Sequence, residues 1–285
     1  MAPTTTPLQP GKWRPGPFLL LQLALHGAAL LLLLVYPHRW PWPVATVVLS
    51  QLLLMAAGLW PRSTCLGANL VRLPAAAAQR GEVALTIDDG PDPEVTPQVL
   101  AILAQHKVHA TFFCIGERAA AHPELCRHIV AAGHRIENHG ARHPTLLSLS
   151  GAAGWRREIL QGQGILERIT GQAPRFYRAV AGLRNPFLDP VLHGAGLQLA
   201  SWSRRGFDTQ ERDAEKVLQR LTQQLAAGDI LLLHDGNAAR TLSGEAVVVS
   251  VLPRLLDTLQ TRGLTPVTLA QACDLMPGEH GSPTI

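Results

Sequence analysis

Two adjacent carboxylates, Asp88 and Asp89, close a short apolar run at residues 83–87 and enter a turn of Gly90, Pro91, Asp92 and Pro93. Neighbouring carboxylates repel unless a cation, a proton or an arginine separates their roles, so the pair marks a candidate site. Asp-Gly-Pro is also ordinary turn chemistry, and a surface turn explains this segment equally well on its own. The residues that could change that balance lie downstream: His139 and His143, Arg178, Trp202, Asp208, and His234 beside Asp235. A His-x-x-x-His spacing is a weak signal alone. Joined by one carboxylate, two imidazoles leave open positions on a transition metal for water and substrate, which is the arrangement of catalytic rather than structural sites.

These residues need elements to bring them together. From Glu82 onward, apolar strand-like runs at 83–87, 110–115, 134–138, 175–177, 198–201, 230–233 and 265–268 alternate with amphipathic stretches at 97–106, 123–132, 152–170, 185–193, 213–227 and 246–262. Gly133, Gly171, Gly196, Gly228 and Gly263 stand where helices would end. Such alternation predicts an α/β fold with a parallel sheet and helical crossovers, and about seven strand–helix units suit a small, incomplete barrel. Chemistry in such folds sits at the carboxyl ends of strands, where the polar residues named above fall.

The 285 residues carry a net charge of +4, and the Lys and Arg residues are dispersed, with no basic run that would track a phosphate backbone; nucleic acid is not an expected partner. Four cysteines, Cys65, Cys114, Cys126 and Cys273, match no disulfide or zinc-knuckle spacing. Residues 1–17 are expected to be poorly ordered. Residues 18–61 hold two uncharged apolar runs separated by a Pro- and Trp-rich turn, each near the length that a bilayer requires, and read as a transmembrane helical hairpin with Trp40, Trp42 and Trp60 at the interfaces. Lys12 and Arg14 precede it, Arg62, Arg72 and Arg80 follow, and only Arg39 lies in the turn, which places both ends in the cytoplasm. Residues 62–81 read as a linker to a soluble domain at 82–274, with a tail at 275–285.

Thr86-Ile87-Asp88-Asp89-Gly90 resembles the first signature of the polysaccharide deacetylase family (the NodB-homology domain, carbohydrate esterase family 4), and His139-Gly140-Ala141-Arg142-His143-Pro144 resembles the second. The later signatures match more loosely, at Arg178-Ala179-Val180-Ala181-Gly182, between Trp202 and Asp208, and at Leu231-Leu232-Leu233-His234. The resemblance implies a distorted (β/α)7-type barrel, here preceded by two transmembrane helices, and metal-dependent hydrolysis of an N-acyl group on a sugar. It implies Asp89, His139 and His143 as ligands of a divalent metal, zinc by family habit. It further implies Asp88 as general base, His234 as general acid, Arg178 and Asp208 as groups that orient Asp88 and its surroundings, and Trp202 as pocket wall. A tetrahedral oxyanion also needs a donor, and a backbone N–H near Ala181 is the candidate.

Three positions depart from the family pattern. Gly140 replaces a Ser or Thr whose hydroxyl would steady the ligand loop, Ala179-Val180-Ala181 replaces a segment with Pro and an aromatic, and Thr209 replaces a common Trp. Few aromatics remain to grip a polymer, and the hairpin adjoins the site, so a lipid-linked N-acylated sugar at a bacterial inner membrane is an expected substrate beside a glycan. The rival reading is a catalytically silent, membrane-anchored glycan- or metal-binding module. Retention of Asp88 counts against it. Oligomeric state is left open.

Overall fold

The computed structural model describes residues 13–274. The expected tail, and residues 1–12 of the expected disordered segment, lie outside the described residues. In chain order the elements are α1 (Pro17–Val35), α2 (Pro41–Leu59), α3 (Ala75–Gln79), β1 (Glu82–Asp88), α4 (Val95–Gln105), β2 (Thr111–Cys114), α5 (Gly116–Ala121), α6 (Pro123–Ala131), β3 (Arg135–Asn138), α7 (Ala152–Thr170), β4 (Phe176–Tyr177), α8 (Leu188–Ala195), β5 (Gln198–Leu199), β6 (Arg204–Arg205), α9 (Ala214–Thr222), β7 (Ile230–His234), α10 (Val247–Thr261), β8 (Thr265–Val267) and α11 (Leu269–Asp274).

All strand pairs are parallel, in the order β5-β4-β3-β2-β1-β7-β6, with β8 beside the first half of β1. The result is an α/β half-barrel, as the alternation predicts. All seven residues of β1 are buried, because its alternating side chains meet two different apolar layers. Val83, Leu85 and Ile87 pack under α4, α9 and α10, whereas Ala84 faces the inner cluster with Phe113, Trp202 and Leu232. Buried on both faces, the strand has the continuous apolar character read from its sequence.

Several elements differ from expectation. β6, α3, α5 and α11 were too short to give a periodic signal. The helix expected at 213–227 stops at Thr222, where Gln223 turns extended and Gln224 takes a left-handed φ of 56°. The stretch expected to be a linker is part of the domain. Leu70 N–H donates to the Leu199 carbonyl and Ser201 N–H to the Leu70 carbonyl, both at 2.9 Å, while Leu73 N–H reaches the Gly228 carbonyl at 2.8 Å. This segment therefore spans the seam between the two sheet edges, and Leu66 and Ala77 are buried behind it.

The helices α1 and α2 pair through a polar contact, in which the Ser50 hydroxyl donates to the Gln22 side-chain carbonyl, and are otherwise coated with exposed Leu and Val. Both are long and apolar enough to cross a membrane. The end of α2 is docked on the barrel: Arg184 N–H donates to the Gly58 carbonyl at 3.1 Å, and the Pro61 carbonyl accepts from Ser201 Oγ at 2.8 Å and Asn69 Nδ2 at 3.0 Å.

Candidate active site

The carboxyl end of β1 delivers Asp88 and Asp89. Consecutive strand residues point to opposite faces, so the two carboxylates could share one site only if the alternation broke. Asp89 breaks it with a φ of 72°, held by its N–H bond to the Phe113 carbonyl at 3.2 Å. Asp89 Oδ1 then lies 3.1 Å from His139 Nε2 and 3.2 Å from His143 Nε2, while Asp88 Oδ2 stands 3.9 Å from the same His139 nitrogen. His139 follows β3, and its Nδ1 lies 2.8 Å from the Arg178 carbonyl. A carbonyl only accepts, so Nδ1 carries a proton and Nε2 is the nitrogen that faces Asp89 and would be the one to ligate a metal.

One carboxylate oxygen and two imidazole nitrogens thus lie within 4.8 Å of one another. This donor set, with one imidazole pre-oriented by a backbone carbonyl, fits a divalent transition metal. Burial alone would raise the Asp89 carboxyl, but the imidazoles of His139 and His143 outweigh it and hold the group far below the usual carboxylate range. For His139, burial opposes the charged ring, and Asp89 and Asp88 reverse that direction upward.

Two buried pairs flank the three groups. On one side Arg178 Nη1 donates to Asp88 Oδ1 at 2.6 Å and to Thr86 Oγ1 at 2.7 Å, with the guanidinium 4.0 Å from the Phe113 ring centre. Oδ2 of Asp88 is the oxygen turned toward His139. On the other side His234, at the end of β7, sets Nδ1 at 2.9 Å from Asp208 Oδ1, and its backbone N–H donates to Asp208 Oδ2 at 2.7 Å. Burial would lower the His234 pKa, but the Asp208 carboxylate raises it to about 9. Asp208 therefore serves His234, not Asp88, and the imidazole stays protonated well above its ordinary 6.5. Trp202 is nearly buried, its ring centre 5.9 Å from Arg178. Ala181 is exposed at the rim with a φ of 52°.

Three supporting residues leave no signal in the sequence. Glu158, on the buried face of α7, accepts from the backbone N–H groups of Arg142 at 2.6 Å and His143 at 2.9 Å. A Cβ on Gly140, where φ is +87°, would fall 2.8 Å from Glu158 Oε1. The missing hydroxyl at position 140 consequently does not leave the ligand loop unsupported. A carboxylate from α7 takes over, and glycine is what lets it approach. Arg118 Nη1 donates to the Asp89 carbonyl at 2.8 Å, and Asn237 Nδ2 to Asp89 Oδ2 at 3.0 Å. Asp235 is buried. Its carboxyl accepts from the Thr96 hydroxyl at 2.5 Å, and burial raises its pKa to about 7.

Comparison with known proteins decides the family. The polysaccharide deacetylase family model matches residues 75–200. A chitooligosaccharide deacetylase of Sinorhizobium fredii is 33% identical over 205 residues, which are 70% of this chain and 95% of that protein. The chain belongs to the polysaccharide deacetylase family. A peptidoglycan-N-acetylglucosamine deacetylase of Bacillus cereus is 34% identical over 191 residues, 66% of this chain and 86% of the relative. The crystal structure of a peptidoglycan N-acetylglucosamine deacetylase, in complex with an N-oxidanyl-benzamide, superposes with a TM-score of 0.65 at 30% identity over 72% of this chain and 92% of its own. A family pseudoenzyme from Bacillus anthracis shares the fold at a TM-score of 0.64 and 21% identity, so activity has to be argued from the site rather than from the fold.

Proposed function

We propose that this polysaccharide deacetylase homologue is a metal-dependent N-deacetylase that removes an N-acyl group, foremost N-acetyl, from a sugar at a membrane surface. The observation that carries the reading is the convergence of three potential ligands, a carboxylate and a protonated imidazole in one buried mouth. When bound by Asp89, His139 and His143, a divalent metal such as zinc would supply Lewis-acid polarisation of the amide carbonyl and acidification of water. Asp88, steadied through Oδ1 by Arg178, offers Oδ2 to take the attacking water's proton. The Ala181 N–H at the rim is suited to donate to the developing oxyanion. His234, kept cationic by Asp208, protonates the departing amine from Nε2, because Nδ1 is engaged with the carboxylate.

Docking of α2 on the barrel supports α1 and α2 as a permanent anchor, since a cleaved leader would not be tied into the domain by Gly58 and Pro61. The excess of Lys and Arg at the two ends of the hairpin favours a cytoplasmic domain. The full-length chain, loaded with zinc in detergent, is expected to release acetate from N-acetylated chitooligosaccharides and from a polyprenyl-diphosphate N-acetylglucosamine. Zinc binding without acetate from any N-acetylated sugar would favour the silent binding module.

A further inference from the structure

Where α2 meets the barrel there is a cavity of about 670 Å³ lined by Trp60, Pro61, Arg62, Trp202, Arg205 and Phe207, among others. It touches both halves of the molecule. Trp60 is the exposed residue capping α2 at the level of an interfacial aromatic. Trp202 also lines the cavity, and its ring centre lies 5.9 Å from Arg178, which grips Asp88. A group in this cavity therefore lies beside the ring that packs on the partner of Asp88 and against the end of an apolar helix.

The charge of the cavity is unbalanced. Of its four arginines, Arg204 is paired with Asp229 at 3.0 Å and Arg220 with Glu211 at 3.2 Å. Arg62 and Arg205 have no ion-pair partner among the described residues. Among the described residues Arg62 reaches only the Ser203 carbonyl, at 3.4 Å. Arg205 is held between aromatic rings, 5.3 Å from the centre of Trp202 and 4.9 Å from that of Phe207, and its Nε is buried without a hydrogen-bond partner. A guanidinium packed on rings with no counter-charge beside it is partly desolvated, and an anion in the cavity would supply that counter-charge. The guanidinium fork matches two oxygens of a phosphate, and stacking on rings holds it in place for that match.

We infer that this cavity binds the phosphate or diphosphate through which the substrate sugar is joined to a membrane lipid, with Arg205 and Arg62 as its partners. The inference rests on the N-deacetylase reading above and narrows its substrate to a lipid-linked sugar. The lipid chain leaves along α2, and the sugar passes Trp202 toward Asp88. Catalysis needs no contact to the anion, but the anion fixes which sugar reaches the metal-binding residues.

The test uses the full-length chain in nanodiscs of phosphatidylcholine, with farnesyl diphosphate, uncharged farnesol and inorganic diphosphate as probes. Farnesyl diphosphate should bind at least roughly tenfold more tightly than farnesol, and Arg205→Gln should remove most of that difference. Arg62→Gln, which disturbs no ring stack, should weaken binding in the same direction and covers the case in which Arg205→Gln fails to fold. Equal binding of farnesol, or indifference to both variants, overturns the inference. Loss of farnesyl diphosphate binding when phosphatidylglycerol is added to the nanodisc would make the cavity a phospholipid headgroup site and likewise overturn it. Acetate release from chitooligosaccharide is scored separately. Release without diphosphate binding removes only this inference, whereas diphosphate binding without release from any sugar removes the deacetylase reading and the substrate role of the anion with it.

Discussion

The two buried pairs beside the candidate ligands are built with opposite polarity. At Asp88 the reactive group is the anion, and its fixed partner is the Arg178 cation; at His234 the reactive group is the cation, and its fixed partner is the Asp208 anion. In each case the partner engages one atom of the reactive group and leaves the other facing the site. Asp88 keeps Oδ2, and His234 keeps Nε2. On the proposed deacetylase reading the difference assigns direction: a proton would enter on the Arg178 side and leave on the Asp208 side. Asp89 is the contrasting third carboxylate, turned toward two imidazoles and withdrawn from proton transfer.

The sharpest way to break this division is to amidate the two aspartates separately. Asp89→Asn should lose bound zinc and with it measurable turnover, whereas Asp88→Asn should retain zinc, read by metal analysis, and lose roughly 10²–10⁴-fold in kcat. Equal loss of metal in both would show that the carboxylates share one role. The acid side is tested by pH. The His234 pKa of about 9 lies above its ordinary 6.5, so the activity and the stability it confers are present below 6.5 and lost as pH rises through about 9. In Asp208→Asn the basic limb of the kcat profile should move down toward 6.5. A limb that stays in place would remove Asp208 as the source of the shift. The smallest effect is expected behind the ligands: Glu158→Ala should weaken zinc affinity by roughly 10–100-fold in a chelator competition, with kcat largely restored at saturating zinc. Unchanged affinity would mean that the loop of His143 needs no support from α7.

Legibility in the sequence followed the length of the signal. β1, α7 and α10 were readable because a buried strand and two long amphipathic helices repeat their pattern enough times to stand out. β6, with two residues, is defined only by its bonds to β7. Residues 62–81 looked like a linker because a segment that crosses a seam once, through isolated bridges at Leu70 and Arg72, has no period at all. Glu158 was illegible for another reason. Its partners are the backbone N–H groups of residues 142 and 143, and a backbone contact leaves no trace in residue types.

By itself the sequence determined which residue types stand at the strand ends, that its motifs resemble those of a metal-dependent deacetylase family, and that two helices are apolar enough for a bilayer. The first and the last follow from local composition and period, the second from the resemblance of the motifs. Only the tertiary structure decided how the carboxylates divide. The left-handed turn at Asp89 brings it round to His139 and His143, while Arg178, ninety positions downstream, reaches back to claim Asp88. The same is true of the joint between hairpin and barrel, where Trp60, Arg62 and Arg205 meet around one cavity. Their chemistry depends on distance and burial, and neither is a property of a residue read alone.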